Sequence, residues 1–184
     1  EENFVHIGNH SHSHEYLVDL EPEKIKSDIK KSIEIFNKEI GYNSEFFSYP
    51  FGEYSLKFKS IIKNLGFNFA FGQHSGVVDD TKDFFELPRF PINEKYGSLK
   101  RFETLMNTLP LKVKSILPSE KYINDKTNPP KIIIDFYNDV DNLKSINCYS
   151  NEGNKWRNSE IKFIDDFKLE IVIREKFTTE RGRV

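Results

Sequence analysis

Apolar residues along this chain keep two rhythms, and the change from one to the other divides it. Ile25, Ile29, Ile33, Phe36 and Ile40 recur at intervals of three and four, the spacing that lines one face of a helix. Pro22 stands near the first helical position, where a missing N–H is no loss, and Gly41 where a left-handed residue ends a helix. A second helix is expected after Ser55, its N-cap, with Phe58, Ile61, Ile62 and Leu65 on the buried side and Gly66 closing it. A third is expected after Ser98, carrying Leu99, Phe102, Leu105 and Met106. Between these lie short apolar or alternating runs at Phe4–Ile7, Glu45–Tyr49, Phe67–Phe71 and Phe84–Phe90, each read as a strand, with Gly72–Lys82 a polar loop. Strands alternating with helices predict an α/β fold built on a parallel sheet or barrel.

The rhythm changes after Leu117. Pro118, Pro129 and Pro130 flank a polar segment, Ser119–Asn128, read as a linker or long crossing loop. Beyond it come strand-like runs at 132–136, 146–149, 161–164 and 169–173, separated by turn signals at 151–154 and 165–166. The expected organisation is an α/β portion over 1–117, then a linker and a small antiparallel β region over 118–184.

Composition narrows the class. The 184 residues suffice for one well-buried domain with an appendage. Seventeen Phe and eight Tyr against one Met and one Trp mean that aromatic residues and isoleucine build the core. A formal net charge of −2, with basic and acidic residues interspersed, gives no electrostatic reason to expect nucleic acid or an anionic membrane as partner. No apolar run approaches a membrane span and no signal peptide is visible. Cys148 is the single cysteine, which excludes an intrachain disulfide and fits either a reducing compartment or an exported protein without one.

Three of the five histidines fall at alternate positions in Gly8-Asn9-His10-Ser11-His12-Ser13-His14. His10 and His14 are four apart, so a helical turn would put both imidazoles on one side, within reach of one metal. The plainer reading is an exposed histidine cluster, although a tag would be an unbroken run. His12 reads as a loop residue.

Ile7–His14 resembles the second motif of the polysaccharide deacetylases of carbohydrate esterase family 4, Gly-Asn-His-Ser/Thr-x-x-His. Phe47-Ser48-Tyr49-Pro50-Phe51-Gly52 resembles the third motif, and Phe85-Glu86-Leu87-Pro88-Arg89-Phe90-Pro91 the approach to a late barrel strand. The resemblance covers roughly residues 4–100. It implies an incomplete deacetylase-type (β/α) barrel and a hydrolase acting on amide bonds other than peptide bonds. Its expected reaction is the metal-dependent removal of N-acetyl, or O-acetyl, groups from a polysaccharide containing N-acetylhexosamine. It implies His10 and His14 as ligands of a divalent metal, usually zinc. In the third motif, Pro50 and Gly52 would shape a turn whose Phe51 N–H stabilises an oxyanion, beside Tyr49 as a substrate contact. An exported or cell-envelope location also follows from the resemblance alone.

The departures are as informative. The family's Asp-Asp motif, holding the catalytic base and the third metal ligand, belongs upstream of the histidines, where residues 1–9 contain no Asp. Both ends look cut, so a truncated fragment, inactive or weakly active, is expected; His6 is the substitute ligand to consider. Ser48 stands where the motif usually has Arg, and Phe51 where it has Tyr. Arg89, fixed between two prolines, is the candidate for the missing Arg, against a surface salt bridge. His74, in a glycine-rich loop, is the candidate general acid, with Gln73 and Ser75 as substrate contacts; Asp79 and Asp80 read as a solvated turn. Two other classes stay open: a non-catalytic carbohydrate-binding protein using aromatic residues such as Tyr49, Phe51 and Phe90, and an assembly unit pairing with a second copy through an exposed sheet edge.

Overall fold

A computed structural model describes residues 5–153 and 155–178, with the backbone of Gly182 and Arg183. The chain forms two compact units, Glu1–Pro110 and Leu111–Val184. Among the described residues no helix is long and apolar enough to cross a membrane.

In the first unit, α1 runs from Pro22 to Ile40 and ends at Gly41, whose φ of 88° is the left-handed conformation the sequence predicts there. Ile25 and Ile29 of its apolar stripe are fully buried. Helix α2, Leu56–Asn64, begins where the Ser55 hydroxyl accepts the Phe58 N–H and buries Phe58, Ile61 and Ile62. Helix α3, Leu99–Met106, is capped by Ser98, which accepts the Arg101 N–H. Its apolar residues stay open: Leu99 is 80% and Met106 70% exposed. A cap and a period suffice to specify a helix but do not say what packs on it.

Strands β1 (Phe46–Ser48) and β2 (Phe69–Phe71) pair in parallel, Phe47 opposite Ala70. Single parallel bridges extend the pair on both sides, Asn9 to Phe47 and Leu87 to Phe71. Four segments therefore lie side by side in chain order, all pointing one way. Two expected strands are reduced to these bridges. Val5–Ile7 form no strand, and Phe4 lies outside the described residues. At Phe84–Phe90 only Leu87 pairs, giving its N–H to Ala70 O and accepting from Gly72 N, both at 2.9 Å. Pro88 follows without an N–H and cannot continue the ladder.

Phe47, Tyr49, Phe58 and Ile62 fill the core between this sheet and the helices, each 1% exposed or less. Full burial of such side chains contributes about 1.5–3 kcal/mol apiece. Lys59 on α2, its side chain 14% exposed, forms ion pairs with Asp83, at 2.7 Å, and with Glu86. These tie the helix to the segment that leads into Leu87.

The second unit is one antiparallel sheet. Its strands are β3 (Val113–Leu117), β4 (Ile132–Phe136), β5 (Cys148–Glu152), β6 (Lys155–Asp165), β7 (Lys168–Val172) and β8 (Gly182–Arg183). Their order in the sheet is β3-β4-β7-β6-β5-β8, with every pair antiparallel. Phe136, Leu143, Leu169 and Ile171 form its core. Gly153 turns the β5–β6 hairpin at φ 54°, and Asn154 beside it lies outside the described residues. Strand β3 is not evident in the hydrophobic pattern because Lys114 and Ser115 interrupt its apolar residues.

Candidate functional site

Each parallel segment of the first unit delivers chemistry just past its last sheet bond. His10 follows Asn9, Tyr49–Gly52 follow β1, Gly72–His74 follow β2, and Arg89 follows Leu87 by two residues. The carboxyl ends of parallel strands are where α/β folds of this kind bind ligands.

The histidine loop does not take the helical turn expected from its spacing. Ser11 and His14 are left-handed, at φ 70° and 55°, and hydrogen bonds hold them there. The His14 N–H donates to Ser11 Oγ at 3.1 Å and the Ser11 N–H to Asn9 Oδ1 at 3.2 Å. Asn9, only 3% exposed, also accepts from the Ser32 hydroxyl at 2.9 Å. Asp28 of α1 takes the N–H groups of His12 and Ser13 on its two carboxylate oxygens, at 2.9 and 3.0 Å. Asp28 and Ser32 were not singled out from sequence. The signal was present, since both lie among the i, i+3, i+4, i+7 positions beginning at Ile25. Polar residues inside an apolar stripe mark where the helix meets a loop.

The loop brings the His10 and His14 rings edge to face, with centroids 4.9 Å apart. His10 Nδ1 lies 2.6 Å from the Ser48 carbonyl oxygen. A carbonyl can only accept, so Nδ1 carries the proton and Nε2 keeps its lone pair for a ligand. Partial burial lowers the His10 pKa, the Ser48 hydrogen bond opposes this, and the neighbouring His14 and the positive charge of Arg89 add to the lowering. The neutral form that a metal needs is thus favoured.

Two imidazoles holding one tetrahedral ion at about 2.0–2.1 Å have centroids about 5 Å apart, so this pair fits a shared divalent metal. The fit is partial. Among the described residues, no group of three His, Cys, Asp or Glu is positioned to hold an ion. His6 does not complete the set; its ring packs against Phe46, at 5.6 Å.

Phe51 adopts φ 57°, rare for a residue with a side chain. Its ring lies 4.7 Å from His14 and stacks on Tyr16 at 4.0 Å, making an aromatic wall beside the histidines. Gly52 follows at φ 73°, and a Cβ there would fall 2.5 Å from Gln73 N; the β1 turn therefore abuts the segment after β2 at a distance only glycine permits. Gln73 and His74 are exposed, and the His74 ring folds back over Gly72, where a Cβ would lie 2.7 Å from Nδ1.

Arg89 NH1 donates to Ser48 Oγ at 2.7 Å. Its main-chain N–H donates to His74 O at 3.0 Å. Its Nε is buried with no partner among the described residues, and burial works against its charge. Tyr49 is a core residue, 0% exposed, with its hydroxyl on Phe85 O at 3.1 Å. The expected substrate contact is corrected: Tyr49 anchors the turn and has no surface to offer. Pro50 is buried as well. Asp79 lies in a turn, accepting from Thr81 N at 2.8 Å.

The polysaccharide deacetylase family model matches residues 1–70. Among solved structures the chain resembles a Streptococcus pyogenes deacetylase, PplD, determined in complex with acetate, with 20% sequence identity and a TM-score of 0.50. The match covers 55% of this chain and 44% of that one, so the chain spans less than half of that protein. At this identity the likeness is one of fold. No curated protein sequence matches. Over residues 1–70, then, the chain is similar to the polysaccharide deacetylase family.

Proposed function

We propose that the first unit is an incomplete deacetylase-type (β/α) barrel whose site removes N-acetyl, or O-acetyl, groups from a polysaccharide containing N-acetylhexosamine. The observation that carries this reading is the histidine pair. Two imidazoles, one with its tautomer fixed by Ser48 O, meet at ligand spacing where four parallel segments end. His10 and His14 would hold a divalent metal, zinc by its preference for nitrogen ligands. When bound, such an ion supplies Lewis acidity toward a carbonyl and lowers the pKa of water.

The remaining residues supply position and proton transfer. Arg89, part-buried beside His10 with Nε unpartnered, suits a carboxylate that accepts its hydrogen bond and serves as third ligand or base. The Phe51 N–H would meet an oxyanion, His74 would protonate the leaving amine, and Gln73 would contact substrate. Tyr16 and Phe51 form a wall against which a sugar ring would lie. Among the described residues nothing pairs with the far side of residues 5–9, which supports the incomplete-barrel reading. There a groove of about 340 Å³ lies between the histidine loop and the α1 residues Ile35, Phe36 and Ile40, room for a further segment on the sheet edge.

The test is acetate release from an acetylated chito-oligosaccharide by the 184-residue chain in the presence of zinc. Turnover near background is expected, because among the described residues no carboxylate joins the histidines. Robust turnover, lost on chelation and absent in His10→Ala, would overturn the incomplete-site argument. Contact of the sugar with the Tyr16 and Phe51 rings, followed by NMR, that needs no metal and survives both His10→Ala and His14→Ala would favour the non-catalytic binding reading.

A further inference from the structure

The second unit has no part in the chemistry above, and one face of its sheet is built unlike the other. Opposed residues in an antiparallel pair share a face. Asn151 opposes Trp156 and Tyr149 opposes Asn158, so these four side chains stand together, with Tyr149 diagonal to Trp156. On the opposite face β5 carries Ser150 and Glu152, both buried. Trp156 is 70% and Tyr149 49% exposed, so two rings lie open on a sheet surface. Among the described residues neither Asn151 nor Asn158 has a side-chain hydrogen-bond partner. The charges further along this face are paired, Glu160 with Arg174 at 2.5 Å and with Lys162 at 3.9 Å, and Glu170 with Lys131 at 3.5 Å. Among the described side chains, what remains at this corner is two ring faces and two amides.

We propose that Tyr149, Asn151, Trp156 and Asn158 form a glycan-binding platform, a second carbohydrate site separate from the histidine loop. Sugar rings present C–H faces that stack on aromatic planes and hydroxyls that exchange hydrogen bonds with amides. Such a platform would retain a polysaccharide chain while the first unit works on it. The choice of an N-acetylated polymer rests on the function proposed above; the platform itself does not.

Trp156 is the only tryptophan of the chain, so its emission reports this site without interference. The full chain is titrated with an N-acetylated chito-oligosaccharide and, in parallel, with a soluble non-acetylated β-glucan. Saturable change in Trp156 emission is expected with the first. Asn158→Ala and Tyr149→Ala should each weaken binding, the loss of the ring by roughly tenfold, with circular dichroism unchanged, while His10→Ala binds as the parent. A response to the β-glucan alone would keep the platform and refute the N-acetylated substrate. Emission unmoved by either glycan would overturn the platform, whatever the deacetylase assay gives. So would emission that shifts with protein concentration and follows dimerisation in sedimentation, since the corner would then seat a second copy.

Discussion

Gly52→Ala tests the close approach that builds the site. At φ 73° an alanine meets the left-handed penalty of about 1–2 kcal/mol, reduced by about 0.4–1 kcal/mol because glycine is freer in the unfolded chain. Position 41 isolates that term, since Gly41 has φ 88° and a Cβ there would have nothing within 4 Å. Gly41→Ala should therefore cost about 0.5–1 kcal/mol. At position 52 the new Cβ also falls 2.5 Å from Gln73 N and 2.9 Å from its Cα. These are backbone atoms that cannot swing aside. Overpacking of this kind adds about 1–3 kcal/mol, for a total of about 2–4 kcal/mol. The assay is urea unfolding followed by the helical circular dichroism signal. Among the described residues α1, α2 and α3 all belong to the first unit, so that signal reports it alone. Gly52→Ala within 0.5 kcal/mol of Gly41→Ala would refute the claim that the β1 turn and the post-β2 segment are locked together through this glycine.

Zinc titrated calorimetrically into the chain should bind weakly, about 5–8 kcal/mol for two ligands where four-ligand sites give about 10–16, and His10→Ala should abolish the heat. A tight site in the parent would mean that the chain supplies a third ligand. Lys59→Met should destabilise the first unit by about 1–2 kcal/mol, since Asp83 and Glu86 lose their shared cation in a partly screened setting. The same substitution should blunt acid lability. Burial pushes Asp83 up, but the Lys59 and Phe85 hydrogen bonds outweigh it and hold its pKa below the ordinary carboxylate value of 3.8. A depressed carboxylate contributes stability above its unfolded pKa and loses it as pH falls through the folded one. The parent should therefore weaken more steeply than Lys59→Met below about pH 3.8; parallel curves would refute this. Ser48→Ala should cost about 0.5–1.5 kcal/mol through loss of the Arg89 hydrogen bond, and nitrogen NMR should find the His10 tautomer unchanged.

The helices were legible because each carries its own punctuation. Pro22 and Gly41, Ser55 and Ser98 stand at or beside observed ends, and intervals of three and four select the faces that α1 and α2 bury. Sheet membership was less legible, because a strand is defined by its neighbour. Phe84–Phe90 has strand composition, yet among the described residues only Leu87 forms a bridge before Pro88 removes the next donor. Within the site, residue types were readable and geometry was not. The spacing of His10 and His14 suggested a helical turn, whereas two left-handed residues held by Asn9, Ser11 and Asp28 bring the rings together. Tyr49 sits inside a motif associated with substrate, and only packing reveals that its ring faces the core.

Ser48 serves two partners with two different groups. Its hydroxyl accepts from Arg89 and its main-chain carbonyl from His10. The first can be lost by a single codon change; the second is present whichever residue occupies position 48. Mutation can therefore retune the arginine without disturbing the imidazole proton. The part of the site that a metal would depend on is written into the backbone, where drift in sequence does not reach it.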